Sequence, residues 1–178
     1  DDTPENEQAW LDVGVALTTY SNLFGMYPFV GEKYGMAEWD TWGAMEHQTL
    51  TSMFPDFGSG DPVIAHELAH QWWGDNVTCA TWHDIWLNEG FATYCEALWF
   101  ENMPGSPGAP WLHLVMFYYR PWEQGTVYCY DISDPQRVFN GALSYAKGAW
   151  VLHMLRHVVG DTNFYAILNA YRAAYQGS

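Results

Sequence analysis

The spacing of apolar and polar positions along the chain predicts a mainly helical α+β domain with a small sheet. Helices are predicted where apolar positions recur at helical spacing between start signals, such as a capping residue before Pro, and a terminal Gly. They cover residues 3–24, 62–73, 84–101, 110–120, 142–159 and 162–175. Residues 34–39 and 44–51 are predicted as two strands joined by a polar turn at Asp40. Irregular structure is expected in the remaining segments, residues 54–60, 78–82, 102–110 and 123–139.

Composition adds a prediction about partners. The 178 residues fit one domain spanning 1–178, and 18% of them are aromatic, including 11 Trp. An aromatic-walled cleft and faces that pack against further domains both explain this load, and we expect both to contribute. The formal net charge of -15 argues against nucleic acid and anionic membrane as partners, whereas it favours cationic ligands such as peptide amino termini. No stretch of the sequence predicts a membrane span.

The three cysteines, Cys79, Cys95 and Cys129, form no disulfide framework, because their number is odd. No pair has the C-x-x-C spacing of a thiolate zinc site. One bridge with a free thiol is compatible with the sequence, but three buried free thiols are the favoured interpretation.

The segment from His66 to His70 is a candidate metal site. Asp61 and Pro62 predict the start of a helix there, and Gly74 predicts its end. Because residues four apart share one helix face, both histidine rings can converge on one cation, with the intervening Glu67 beside the metal. Glu89 is the candidate for a third ligand. Two His and one carboxylate leave the fourth tetrahedral position open, as in catalytic zinc sites, so we expect one Zn²⁺ per chain. The alternative is a buried helix with two incidental histidines.

Four motifs together resemble the aminopeptidase N family of zinc metallopeptidases. They are the H-E-x-x-H segment with Glu89 eighteen residues later, Trp86-Leu87-Asn88-Glu89-Gly90-Phe91-Ala92, Gly43-Ala44-Met45-Glu46 and Tyr145-Ala146-Lys147-Gly148. The similarity extends from about residue 24 to residue 175. It implies a thermolysin-like catalytic domain that in relatives is flanked by further domains. We therefore expect this chain to be a catalytic core, with those flanking domains absent from the sequence.

The resemblance also implies a role for each metal-site residue. His66, His70 and Glu89 are expected to bind zinc. Glu67 is the expected general base, which takes a proton from the attacking water and passes it to the leaving amine. The hydroxyl of Tyr145 is expected to share the developing oxyanion with the metal.

Substrate binding is expected on the motif upstream of the helix. Glu46 is predicted on a strand, and by resemblance its carboxylate binds the free α-ammonium of a peptide. Gly43, Ala44 and Met45 are expected to run alongside the substrate. The family motif commonly ends in Asn, whereas this sequence has His47.

Three functional interpretations remain open from the sequence. The first is a zinc aminopeptidase acting on peptides with a free amino terminus. The second is a zinc endopeptidase of the same clan, and the third is an inactive zinc-binding domain.

Asp84, Asn88 and Glu96 are equal candidates for the residues that hydrogen-bond to the metal ligands and orient them. His153 and His157, four apart in a helix, are a weaker candidate for a second metal site.

Overall fold

The structure, a computed structural model, describes residues 4–40, 43–55 and 60–177. In chain order its elements are α1 (Pro4–Phe24), β1 (Gly35–Glu38), β2 (Leu50–Met53), α2 (Pro62–His70), a 3-10 turn (Trp82–Asp84), α3 (Trp86–Asn102), α4 (Ala109–Tyr118), α5 (Pro135–Val138), a π-helical segment (Gly141–Lys147), α6 (Gly148–Val159) and α7 (Asp161–Tyr175). The predicted class, a mainly helical α+β domain with a small sheet, is confirmed. None of the described helices combines the length and the apolar character that crossing a membrane requires.

Helix α3 is the centre of the molecule. It packs against α2, α4, α6 and the π-helical segment, and its residues Glu89 to Trp99 are buried. At Gly90 the backbone of α3 meets that of α6 so closely that an added Cβ would lie 2.6 Å from the Cα of Gly148. The two backbones can approach this closely only because both facing residues are glycines. The contact fixes α3 against the start of α6.

Helix α1 is joined to the core by Tyr20, which is wholly buried. Its hydroxyl lies 3.1 Å from the carbonyl oxygen of Ala65 and 2.8 Å from that of Cys95. One side chain therefore links α1 to both α2 and α3. The helix ends at Phe24, as predicted, because Gly25 adopts a left-handed φ of 86°.

The sheet corrects the sequence prediction. β1 lies within the predicted residues 34–39, but the second strand covers residues 50–53 and not 44–51. The two strands run parallel, with Gly35 opposite Leu50, so a tight turn at Asp40 cannot join them. Met45 pairs only through an isolated antiparallel bridge with Ser52.

A turn separates Met45 from β2 and explains the difference. The amide of Leu50 donates to the carbonyl of His47 at 3.0 Å, and Thr49 has a φ of 63°, outside the β region. Residues 43–46, the edge segment, therefore lie beside β2. Glu46 does not lie on a strand, so that prediction was wrong. Residues 41–42, which follow the expected turn at Asp40, lie outside the described residues.

Several helix boundaries also differ from the prediction. α2 ends at His70 and not near residue 73, and the helix predicted over 142–159 opens as a π-helix. α5 lies in a segment predicted to be irregular. Its start has the signals that identified other helices, because Asp134 accepts a hydrogen bond from the amide of Gln136 at 2.9 Å and Pro135 follows the cap. The predicted cap at Thr3 and most of the loop 54–60 lie outside the described residues.

All three cysteines are free, as the favoured interpretation predicted. Cys95 and Cys129 are buried, and Cys79 is half-buried. Cys79 and Cys129 both pack in a small apolar cluster with Ile85 and Val138, where they act as small hydrophobic side chains.

Candidate active site

A cavity of about 950 Å³ opens between α2, α3, the edge segment and the π-helical segment. Four carboxylates line it, and among the described residues neither Lys nor Arg does. Its apolar wall includes Ala44, Met45, Phe54, Val63, Trp82, Ile85 and Phe139. The cavity is thus a largely apolar cleft with a negative floor, suited to a cation.

Three buried side chains bring their polar atoms together on this floor. The Nε2 atoms of His66 and His70 are 3.1 Å apart, and Oε2 of Glu89 lies 3.4 Å from the first and 3.5 Å from the second. Ligands about 2.0–2.1 Å from a tetrahedral zinc ion are separated by about 3.3 Å. The three atoms therefore fit one zinc ion. Among the described residues this is the single group of His, Cys, Asp or Glu that is clustered closely enough to hold a metal.

The outer nitrogens of both rings support this geometry. Nδ1 of His66 lies 2.7 Å from Oε1 of Glu96, and Nδ1 of His70 lies 3.1 Å from the carbonyl oxygen of Trp73. Each acceptor requires Nδ1 to carry the proton, which leaves the Nε2 lone pair directed inward. Tyr119 donates a short hydrogen bond to the other oxygen of Glu96 and so fixes that carboxylate.

Of the three supporting residues that the sequence proposed, Glu96 alone contacts a candidate ligand among the described contacts. Asn88 instead accepts a hydrogen bond from the amide of Cys79 at 3.1 Å. Asp84 belongs to the 3-10 turn before α3. Sequence alone ranked these three equally, because only the packing of α3 on α2 decides which one faces a histidine.

Gly74 makes room for the second histidine. The chain turns after α2, and Gly74 there has a φ of 151°. A Cβ at this position would lie 2.9 Å from Nδ1 of His70. The glycine predicted to end the helix thus also allows the ring to reach the carbonyl of Trp73.

Protons compete with a metal for this group. Burial opposes the charged form of His66, but hydrogen bonds to Glu89 and Glu96 raise its pKa well above the ordinary value. Burial likewise opposes ionisation of Glu89, yet its hydrogen bonds to both histidines hold the pKa of that carboxyl far below its usual range. A cation that binds here must therefore displace protons from the rings, so its affinity is expected to increase with pH.

Glu67 lies beside the group without joining it. It follows His66 on α2, is 7% exposed, and its Oε2 is buried with no hydrogen-bond partner. Burial raises the pKa of Glu67 to about 7. A buried carboxylate with a free oxygen and a pKa near neutrality is suited to accept and return a proton.

Tyr145 reaches the same floor from the π-helical segment. Its ring stacks on that of His66, with centroids 5.9 Å apart and an angle of 15° between the planes. Burial, the charges of Glu89 and Glu46 and a hydrogen bond to Glu89 raise the pKa of Tyr145 above its ordinary value. The hydroxyl therefore stays protonated and remains a hydrogen-bond donor.

The edge segment forms another wall of the cavity. Gly43, Ala44, Met45 and Glu46 all line it. The backbone of Met45 is fixed by two 2.9 Å hydrogen bonds to Ser52. His47, which replaces the Asn of the family motif, is exposed with Nδ1 3.2 Å from Oγ of Ser52, outside the lining residues.

The weaker histidine candidates have structural contacts. The ring of His153 packs on Trp150 and on His113, with centroids 5.3 and 5.6 Å away. Neither His153 nor His157 belongs to a metal-sized group in the part of the chain that the structure describes.

Sequence reasoning did not identify Tyr119, Gln71 or Asp75 near the site. The available signal for Gln71 and Asp75 was their polarity close to the apolar pair Trp72 and Trp73.

Comparison with known proteins agrees with this geometry. The sequence matches the Peptidase family M1 domain over residues 16–178. The chain belongs to peptidase family M1. It is 38% identical to aminopeptidase N of Lactococcus lactis over 128 residues, which are 64% of this chain and 14% of that protein. Human aminopeptidase N is 32% identical over 158 residues, 78% of this chain and 16% of that protein. The resemblance to the aminopeptidase N family is confirmed.

Solved M1 structures share the fold. An M1 zinc metallopeptidase mutant from Deinococcus radiodurans, bound to a Tyr-Ser-Ala substrate, aligns over 99% of this chain and 38% of its own, with a TM-score of 0.75 and 33% identity. Yeast LTA4 hydrolase in complex with bestatin aligns over 96% of this chain and 30% of its own, with a TM-score of 0.81 and 25% identity. The chain thus spans well under half of these proteins.

Proposed function

We propose that this chain is the catalytic domain of a zinc aminopeptidase, which removes the first residue of peptides with a free amino terminus. The observation that carries the proposal is the buried three-atom group with the unpartnered oxygen of Glu67 beside it. The names of the relatives, aminopeptidase N and M1 zinc metallopeptidase, support the same activity. Because those proteins are much longer, we also propose that residues 1–178 work as one unit that packs against further domains.

His66, His70 and Glu89 are the proposed zinc ligands. When bound there, zinc supplies Lewis acidity towards a peptide carbonyl and towards water. Glu67 takes a proton from the attacking water on its free oxygen and returns it to the leaving amine. Tyr145 donates its hydroxyl hydrogen bond to the carbonyl oxygen as negative charge develops there.

Glu46 and the edge segment are the proposed substrate-binding residues. The carboxylate of Glu46 pairs with the α-ammonium of the substrate, and a charge pair in a partly dry cleft is stronger than one on a surface. Gly43, Ala44 and Met45 lie alongside the substrate chain in this proposal, with their backbone facing it. Binding the ammonium at a fixed distance from the metal site restricts cleavage to the first peptide bond.

A pair of matched substrates tests the exopeptidase assignment. The zinc-loaded protein is given a leucyl fluorogenic amide and its N-acetyl derivative, and the two kcat/KM values are compared. We expect strong preference for the free amine, and loss of that preference in Glu46→Ala. Equal cleavage of both substrates would favour an endopeptidase of the same clan. Stoichiometric zinc without hydrolysis of any peptide would favour an inactive domain.

Glu67→Gln tests the proposed general base. The amide keeps the size of the side chain and lies outside the metal ligands, so the variant is expected to bind zinc as wild type does. Turnover is expected to fall by at least about 100-fold, because an amide cannot take the proton that the buried, unpartnered oxygen of Glu67 would accept. A variant that retains both zinc and turnover would contradict the role.

A further inference from the structure

Gln71 is a wholly buried amide that follows His70 at the C-terminal end of α2. Its Oε1 accepts hydrogen bonds from the amide of Thr49 at 2.9 Å and from the hydroxyl of Tyr27 at 3.2 Å. Its Nε2 donates to Oδ2 of Asp75 at 2.9 Å and to the carbonyl oxygen of Glu46 at 3.4 Å. Because both polar atoms are doubly paired, the amide has one orientation.

Two of these four partners lie where the edge segment meets the turn that follows it. Glu46 is the last residue of the edge segment, and Thr49 lies within the turn and has the single left-handed φ among the described non-glycine residues. On the other side, Met45 is fixed by two backbone bonds to Ser52. The backbone around Glu46 is thus held through Met45 by β2 and directly by Gln71, which follows the helix that carries two of the proposed metal ligands.

We propose that Gln71 is a positioning residue that fixes the distance between Glu46 and the metal site, and so sets the register in which a free amino terminus binds. The inference rests on the proposed aminopeptidase function. Gln71 contacts only the main chain of Glu46, so the carboxylate stays free for the substrate. A displacement of about 1 Å in such a constellation can cost about 100-fold in rate, which makes the position of this backbone critical.

The test measures how much the substrate amine contributes to binding. Leucine hydroxamate binds zinc and has a free amine, whereas 4-methylpentanohydroxamate is the same ligand without it. Both dissociation constants are measured by calorimetry on the zinc-loaded protein. In wild type the amine is expected to tighten binding. In Gln71→Met this amine advantage is expected to fall about tenfold, while the affinity for the ligand without an amine changes by less than about twofold.

Tyr27→Phe is the matched control, because it removes a hydrogen bond to the same Oε1 without touching Glu46. It is expected to lower stability but to keep the amine advantage. Gln71→Leu is the second variant: it removes the donor that faces the carbonyl of Glu46 without adding a charge next to Asp75. It too should reduce the amine advantage.

Three results would overturn the inference. The first is an unchanged amine advantage in either folded Gln71 variant. The second is an equal loss of affinity for both ligands, which would mean that Gln71 only supports the metal site. If neither variant folds, hydrogen exchange in wild type decides, since an unprotected Thr49 amide would show that the network does not exist in solution. Equal binding of both ligands by wild type would instead refute the proposed function itself.

Discussion

Glu96 connects the proposed metal site to Tyr119, the residue that follows α4, through a single chain of hydrogen bonds. Its carboxylate accepts from Nδ1 of His66 at 2.7 Å and from the hydroxyl of Tyr119. A carboxylate behind a histidine orients the ring and raises its basicity. Glu96 would thus act on a bound metal through His66 and not by direct contact.

We therefore expect Glu96→Ala to weaken zinc binding by about 10- to 100-fold. The measurement is a competition titration against a chromophoric chelator at fixed pH. Asn88→Ala is the control, because Asn88 lines the same cavity but bonds to Cys79 and not to a ligand. Equal losses in both variants would mean that the effect comes from the cavity wall and not from the hydrogen bond to His66.

Tyr145→Phe separates transition-state stabilisation from binding. The hydroxyl is a protonated donor near the proposed ligands. Its proposed role is to pair with charge that develops only during the reaction. We expect kcat to fall by about 100- to 1000-fold with KM changed by less than about threefold. Zinc content should equal that of wild type, since the ring still packs on His66. A rise in KM at constant kcat would assign the hydroxyl to substrate binding.

At the residue scale, sequence predicts only what local geometry determines. His66 and His70 share a helix face because they are four apart, and the structure places their Nε2 atoms 3.1 Å apart. The choice of Glu96 over Asn88 depends on how α3 packs against α2. Gln71 was not predicted for a similar reason: its partners are spread over three separate segments, and no spacing rule connects them.

At the element scale, the helices were predicted better than the strands. Helices carry their signals locally, in caps and terminal glycines, and α7 begins within a residue of its predicted start. The strand predicted over residues 44–51 failed because Thr49 takes a left-handed conformation, and that conformation is held by Gln71 from another element. The π-helical segment was missed for a different reason: the apolar spacing that predicted a helix over residues 142–159 does not distinguish a π-helix from an α-helix.

The contact between Gly90 and Gly148 positions two of the proposed site residues at once. Gly90 follows Glu89 on α3, and Gly148 lies three residues after Tyr145. A Cβ on Gly148 would lie 2.8 Å from the Cα of Gly90 and 3.3 Å from the carbonyl oxygen of Trp86. Both obstacles are backbone atoms, so the helices must separate to accept a methyl group.

Gly148→Ala is accordingly expected to lower the free energy of unfolding by about 1–3 kcal/mol and to lower kcat. Urea unfolding and steady-state kinetics measure the two effects. Gly14→Ala in α1 is the matched control, because an added Cβ there meets nothing within 4 Å and alanine favours the helix by about 0.5–1 kcal/mol. A Gly148→Ala variant as stable as wild type would contradict the close packing of α3 and α6.

At the scale of the whole molecule, charge is more informative than hydrophobic content. The net charge is -15, and the cavity is lined by Glu46, Glu67, Glu89 and Glu96 without Lys or Arg among the described residues. A zinc ion would offset part of this charge, and we expect the remaining acidic residues to produce a negative field at the mouth of the cleft. Such a field raises the local concentration of cations and the rate at which they associate.

Salt should therefore affect substrates according to their charge. We expect kcat/KM for an arginyl peptide amide to fall more steeply than that for a leucyl peptide amide when salt is raised from about 10 mM to about 1 M, since the screening length shrinks from about 30 Å to about 3 Å. Both substrates experience the same effects of salt on folding, so the ratio of their kcat/KM values cancels those effects. A ratio that does not change with salt would mean that the acidic surface does not reach the cleft, and that Glu46 alone attracts the amino terminus.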